Sequence, residues 1–110
     1  MIGLRLFLLQ RITALIMAPL VIGHIATMIY AVQNGLTAAE ILSRTQGSVW
    51  WGLFYGLFVI AVAIHAAIGV RAIAYEWGKV PAAALNPMTW AIAVGLTLLG
   101  GRAIYAVVMP

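Results

Sequence analysis

Three long apolar runs dominate the chain. Ile12 to Val32 is almost wholly hydrophobic, and a helix carrying it can begin as early as Leu4. Val49 to Ala74 forms a second run, and Met88 to Val108 a third, entered through Asn86-Pro87. At 1.5 Å of rise per residue, about 20 apolar residues cross a bilayer, so each run predicts a membrane-spanning helix. The expected spans are residues 4–32, 49–76 and 87–108. Between the first two, Gln33-Asn34-Gly35 reads as a helix stop. Thr37-Ala38-Ala39-Glu40 then reads as a capping box, which predicts one or two interfacial turns through Leu42. Gly78-Lys79-Val80-Pro81 separates the second span from the third, and Pro87 suits that helix's first turn. Pro19 predicts a kink in the first helix, because it removes the bond to the Leu15 carbonyl. Gly52 and Gly56 open the second helix with a spacing that suits close approach of another helix. The expected fold class is all-α: one integral membrane domain over residues 1–110, a bundle of three transmembrane helices.

Composition leaves little room for another class. The chain has 110 residues, 65% hydrophobic and 7% charged, where soluble proteins are roughly a quarter charged. Its mean hydropathy is +1.12. The net charge of +4 does not point to nucleic acid, because the basic residues are scattered without a run. They read as topology markers instead. Arg5, Arg11, Arg71 and Lys79 fall on one side and Arg44 and Arg102 on the other, which places the N-terminus inside and the C-terminus outside. Trp77 and Trp90 then read as anchors at the inner interface, and Tyr30, Trp50, Trp51 and Tyr105 as anchors at the outer one. The apolar run after Arg5 and Arg11 is too long for a signal-peptide core and no small-x-small cleavage pattern follows it, so the first helix is expected to be retained. The chain has no cysteine, so any disulfide, thiolate chemistry or iron–sulfur ligation must come from another chain.

The polar residues inside the spans carry the chemistry. His65 lies mid-span, and its ring nitrogens need partners that lipid cannot supply. At 100° per residue, Ala61, His65, Gly69, Ala72 and Glu76 share a narrow helical face. Small residues around an outward imidazole make a shelf for a planar macrocycle, with Gly69 permitting close approach and Arg71 near the interface to meet propionates. The residues thus suggest haem with His65 as axial ligand; the alternative is a histidine hydrogen-bonded to a backbone carbonyl. His24, on the first helix, is a candidate second axial ligand, as is a histidine of a partner. Counted from Arg11 and from Glu76, the two histidines come out at similar depth, roughly 20 and 16 Å in. Arg11 and Thr13, with the Trp77 indole, form a candidate donor set for a quinone at the inner interface, the alternative being that Arg11 snorkels to the headgroups. Three helices shelter His24, His65, Arg11 and Glu76 poorly, so a partner in the membrane is expected.

Two segments resemble the cytochrome b membrane anchors of the succinate dehydrogenase and fumarate reductase family. Leu9-Gln10-Arg11-Ile12-Thr13-Ala14-Leu15 with Ala18-Pro19-Leu20 is similar to the family's first helix. His65, Gly69 and Glu76-Trp77 are similar to its second-helix pattern of histidine, glycine four on, and an acidic–aromatic pair. Phe7 stands where the sibling anchor carries serine, so the chain looks more like the smaller, second anchor. The resemblance implies haem b held between two anchors, with His65 as axial ligand and Arg11 near a propionate or the quinone. It also implies a quinone site at Arg11 and Glu76-Trp77, where Glu76-Trp77 replaces the usual Asp-Tyr and Tyr75 is the nearby phenol. The implied partners are a second anchor, an iron–sulfur subunit and a flavoprotein subunit, with FAD and the iron–sulfur clusters in those partners only. No catalytic residue is expected in this chain, and the implied location is a bacterial inner membrane or an equivalent energy-transducing membrane. A haem-free structural anchor of such a complex is the alternative. A small transporter is a more distant one, since neither Glu40 nor Glu76 lies mid-membrane.

Overall fold

The computed structural model describes residues 3–109. Among them it contains four helices and no strand: α1 (Leu4–Asn34), α2 (Ala38–Thr45), α3 (Val49–Glu76) and α4 (Ala82–Val108). The three long helices, α1, α3 and α4, are each long and apolar enough to cross a membrane. The molecule is 47 Å long, which matches a bilayer of about 40–45 Å with its headgroups.

α1 starts at the early limit and continues through Pro19 to Asn34. Gly35 ends it with φ 134°, in the left-handed range, and a Cβ there would run into the Glu40 carboxylate. The capping box of α2 forms in both directions. Thr37 Oγ1 accepts from the Glu40 N–H at 3.2 Å, and Glu40 Oε2 accepts from the Thr37 N–H at 3.1 Å. α2 runs on to Thr45, past the expected end at Leu42, and Ser48 caps α3 by accepting from the Trp51 N–H. α4 departs from expectation. It begins at Ala82, with Pro81 as its N-cap, and Pro87 lies inside it. The run Ala82-Ala83-Ala84 has the highest helix propensity available, and that outweighs the single carbonyl, on Ala83, that Pro87 leaves without its helical donor.

α3 is the central helix, packed between α1 and α4. The buried side chains on it are small or branched: Ala61, Ala63, Ala67 and Ile68. The tightest helix crossing is not at Gly52 or Gly56. Gly56 has open space beside it and Gly52 makes ordinary contact with Val108, whereas a Cβ on Gly100 would fall 2.5 Å from Val59 Cγ1. α2 closes one end of the bundle. The Thr45 hydroxyl donates to the Val107 carbonyl and the Gly47 N–H to the Val108 carbonyl, both at 2.6 Å. These donors satisfy carbonyls that the end of α4 would otherwise leave bare. Beyond this seam most side chains of α1 and α4 face outward.

Candidate functional site

His65 sits mid-way along α3, on the side packed against α1. Its Nδ1 lies 3.2 Å from the Oγ1 of Thr13, a residue only 4% exposed. That oxygen also lies 2.7 Å from the Leu9 carbonyl and 3.1 Å from the Gln10 carbonyl. Among the described residues His65 Nε2 has no hydrogen-bond partner, and it is not enclosed by the chain. One imidazole nitrogen is thus tied to α1 and the other remains reachable from outside.

One turn on, Gly69 is met by α1 rather than left open. The Gln10 amide nitrogen is 3.4 Å from where a Gly69 Cβ would stand, ordinary contact. Gln10 Oε1 is buried with no partner among the described residues. Gln10 and Thr13 are one helical turn apart on α1, as His65 and Gly69 are on α3, so the two pairs interlock.

This pairing fixes the register of the two helices and corrects the depth read from residue counts. His24 lies against Phe58 at 5.2 Å and Tyr55 at 6.3 Å between ring centroids, both edge-on. Phe58 is seven residues from His65, about 10 Å along the axis. The two histidines are not level, and buried Ala61 lies on α3 between them. The counts assumed that Arg11 and Glu76 enter the membrane together. With Thr13 opposite His65, Arg11 stands opposite Ala67 and Ile68 instead, about 12 Å from the level of Glu76. Its guanidinium lies over the Phe7 ring at 5.3 Å.

The other expected site residues scatter. Arg71 faces α4, where its Nη1 donates to Asn86 Oδ1 at 2.8 Å and to Thr89 Oγ1 at 3.2 Å. It is on a different side of α3 from the Gln10–Gly69 contact. Tyr75 and Glu76, with Lys79 and Val80, line an open hollow of 440 Å³. Trp77 is 82% exposed beyond it. Thr13, expected to face a quinone, is buried against His65. Asn86, read from the sequence only as the entry to the third helix, and Thr89 lie three apart on one face, a spacing that lets both meet a single cation. At the α2 end, a separate cavity of 740 Å³ is lined by His24, Thr27, Tyr30, Arg44, Trp51 and Tyr55 among others. Trp51 is part of that wall, stacked on Tyr55 at 5.5 Å, whereas Trp50 is 83% exposed.

No curated protein and no solved structure matches the chain. A family model does, that of the succinate dehydrogenase/fumarate reductase transmembrane subunit, over residues 2–104. That match takes in all of α1, α2 and α3 and most of α4, and the chain therefore belongs to the succinate dehydrogenase/fumarate reductase transmembrane subunits.

Proposed function

We propose that this transmembrane subunit binds haem b through His65 and contributes to a quinone site, while anchoring the iron–sulfur and flavoprotein subunits of its complex with the help of a second anchor. The observation that carries this reading is the imidazole of His65: Nδ1 is held by Thr13 and Nε2 is without a partner in the chain. A reachable, unpartnered nitrogen in a membrane span is costly unless something outside the chain takes it. Histidine is also the commonest metal-binding side chain, and it holds haem iron in several protein families. The residues fit the group in donor chemistry, and Ala66 beside His65 is small and only part-buried. When bound, haem supplies a one-electron store between the partner's clusters and the quinone.

The chain's own residues divide the work. Within this chain His65 alone would hold the iron, because His24 lies at a different depth in the bundle. Tyr75 and Glu76 line the hollow suited to a quinone ring, and the Trp77 indole is free to donate nearby. Arg11, whose guanidinium lies over the Phe7 ring, would be the cation that meets a propionate. We assign the N-terminal end of α1 to the inner side, where the basic residues concentrate.

The competing reading, a haem-free anchor, has one observation on its side: Gln10 lies over Gly69 and fills part of the expected shelf. A dithionite-reduced minus oxidised spectrum of the purified complex separates the two. A b-type α-band is expected in the wild type and in His24→Ala, and not in His65→Ala. A band that survives His65→Ala in an intact complex overturns the assignment of the ligand, and no band in the wild type establishes the bare anchor.

A further inference from the structure

We infer that Thr13 is a positioning residue that fixes the tautomer of His65, with the proton on Nδ1 and a bare lone pair on Nε2. This inference rests on the haem reading only for its consequence, not for its geometry.

The argument is a count of hydrogens around one oxygen. Three atoms lie within hydrogen-bonding distance of Thr13 Oγ1: the Leu9 carbonyl at 2.7 Å, the Gln10 carbonyl at 3.1 Å and His65 Nδ1 at 3.2 Å. A threonine hydroxyl carries one hydrogen and two lone pairs, and a carbonyl oxygen can only accept. If the hydroxyl gave its hydrogen to Nδ1, the Leu9 oxygen would face a second oxygen at 2.7 Å with no hydrogen between them. That contact would be repulsive, and with Thr13 only 4% exposed no water relieves it. The hydroxyl hydrogen therefore goes to the helix carbonyls, the usual back-bond of a threonine in a helix. The lone pair left on Oγ1 faces Nδ1, so Nδ1 must be the donor. A neutral imidazole has one N–H, and Nε2 is left without a proton.

This arrangement suits a metal ligand. Iron needs the unprotonated nitrogen, and the hydrogen bond on the other nitrogen sets the ring's orientation and raises its basicity. The more basic ring favours ferric over ferrous iron. Thr13 acts from α1, so packing α1 on α3 prepares the ligand before any cofactor arrives.

Two measurements test it, one without haem. The full-length chain, with ¹⁵N-labelled histidine and His24→Gln to leave one imidazole, is reconstituted in lipid vesicles and its ring nitrogens are read by solid-state NMR. The Nδ1–H tautomer is expected. Thr13→Val, which keeps the shape and loses the oxygen, should lower the Nδ1–H to Nε2–H ratio about fivefold, the worth of one ordinary hydrogen bond. Thr13→Ser should restore it. An Nε2–H tautomer in the parent chain, or a ratio unmoved by Thr13→Val, overturns the inference. In the assembled complex, Thr13→Val should raise the haem midpoint potential, by about 59 mV for each tenfold loss of ferric preference, and Thr13→Ser should bring it back. A threonine needed only for packing would leave that potential in place. An Nδ1–H signal in a complex that shows no b band supports the role of Thr13 and sinks the haem reading alone.

Discussion

Arg71 is held by α4, where Asn86 and Thr89 accept from one of its guanidinium nitrogens. An arginine in an apolar span needs such partners, and the neighbouring helix supplies two of them. Interhelical hydrogen bonds in membranes are worth about 0.6 kcal/mol on average, and up to about 1.7. Arg71→Gln should accordingly lower the thermal stability of the complex by about that much and leave the haem band and its potential unchanged. A double-mutant cycle with Thr89→Val checks that the loss runs through this contact, since the two changes together should then cost less than their sum. A changed haem potential in Arg71→Gln would instead return the residue to the propionates. Single residues were the least legible part of the sequence, and Arg71 illustrates why. Its type and approximate depth are plain from the chain, but its partner depends on which neighbour α3 turns that face toward. The same holds for Thr13. Its place near the start of the first span suggested a quinone donor, and only the register of α1 on α3 puts it against His65.

At the level of the elements the sequence was far more readable. The extents of the first two long helices, the stop at Gly35 and the capping box at Thr37 and Glu40 follow from local rules, and all are present. The start of α4 was misplaced because two prolines compete for it, and the alanines between them extend the helix back to Pro81. Glycine was the weaker guide. Gly52 and Gly56 have the familiar spacing, yet the close crossing belongs to Gly100, which no spacing rule marks. There a Cβ would lie 2.5, 2.8 and 3.2 Å from atoms of Val59, and a β-branched side chain in a helix has almost no alternative rotamer. Gly100→Ala should therefore push α3 and α4 apart, at a cost of about 1–3 kcal/mol. Thermal melting of the purified complex would register this as a lowered Tm. Adding Val59→Ala removes the obstructing methyls and should recover most of the loss. A single Gly100→Ala that melts with the wild type would mean that the helices do not approach so closely here.

The whole molecule is a thin layer of helices with α3 in the middle, and much of α1 and α4 is left for lipid or other subunits. That fits a subunit of a larger membrane complex, as its family implies. What the fold alone does not set is which end faces which compartment, because the two ends differ mainly in charge. One end carries Arg5, Lys79 and the turn between α3 and α4; the other carries α2 with Arg44. Basic residues are retained on the inner side during insertion, so the Lys79 end is expected inside and α2 outside. The absence of native cysteine makes this unusually direct to test, since a single introduced thiol is the only one in the chain. Ser43 on α2 and Ala82 at the start of α4 are both exposed and at opposite ends. In right-side-out membrane vesicles a membrane-impermeant maleimide should label Ser43→Cys and not Ala82→Cys, measured against the total labelled after SDS denaturation. Inverted vesicles should leave Ser43→Cys unlabelled. The opposite pattern would place the hollow at Tyr75 and Glu76 on the outer side and overturn the assignment of the N-terminal end of α1 to the inner side.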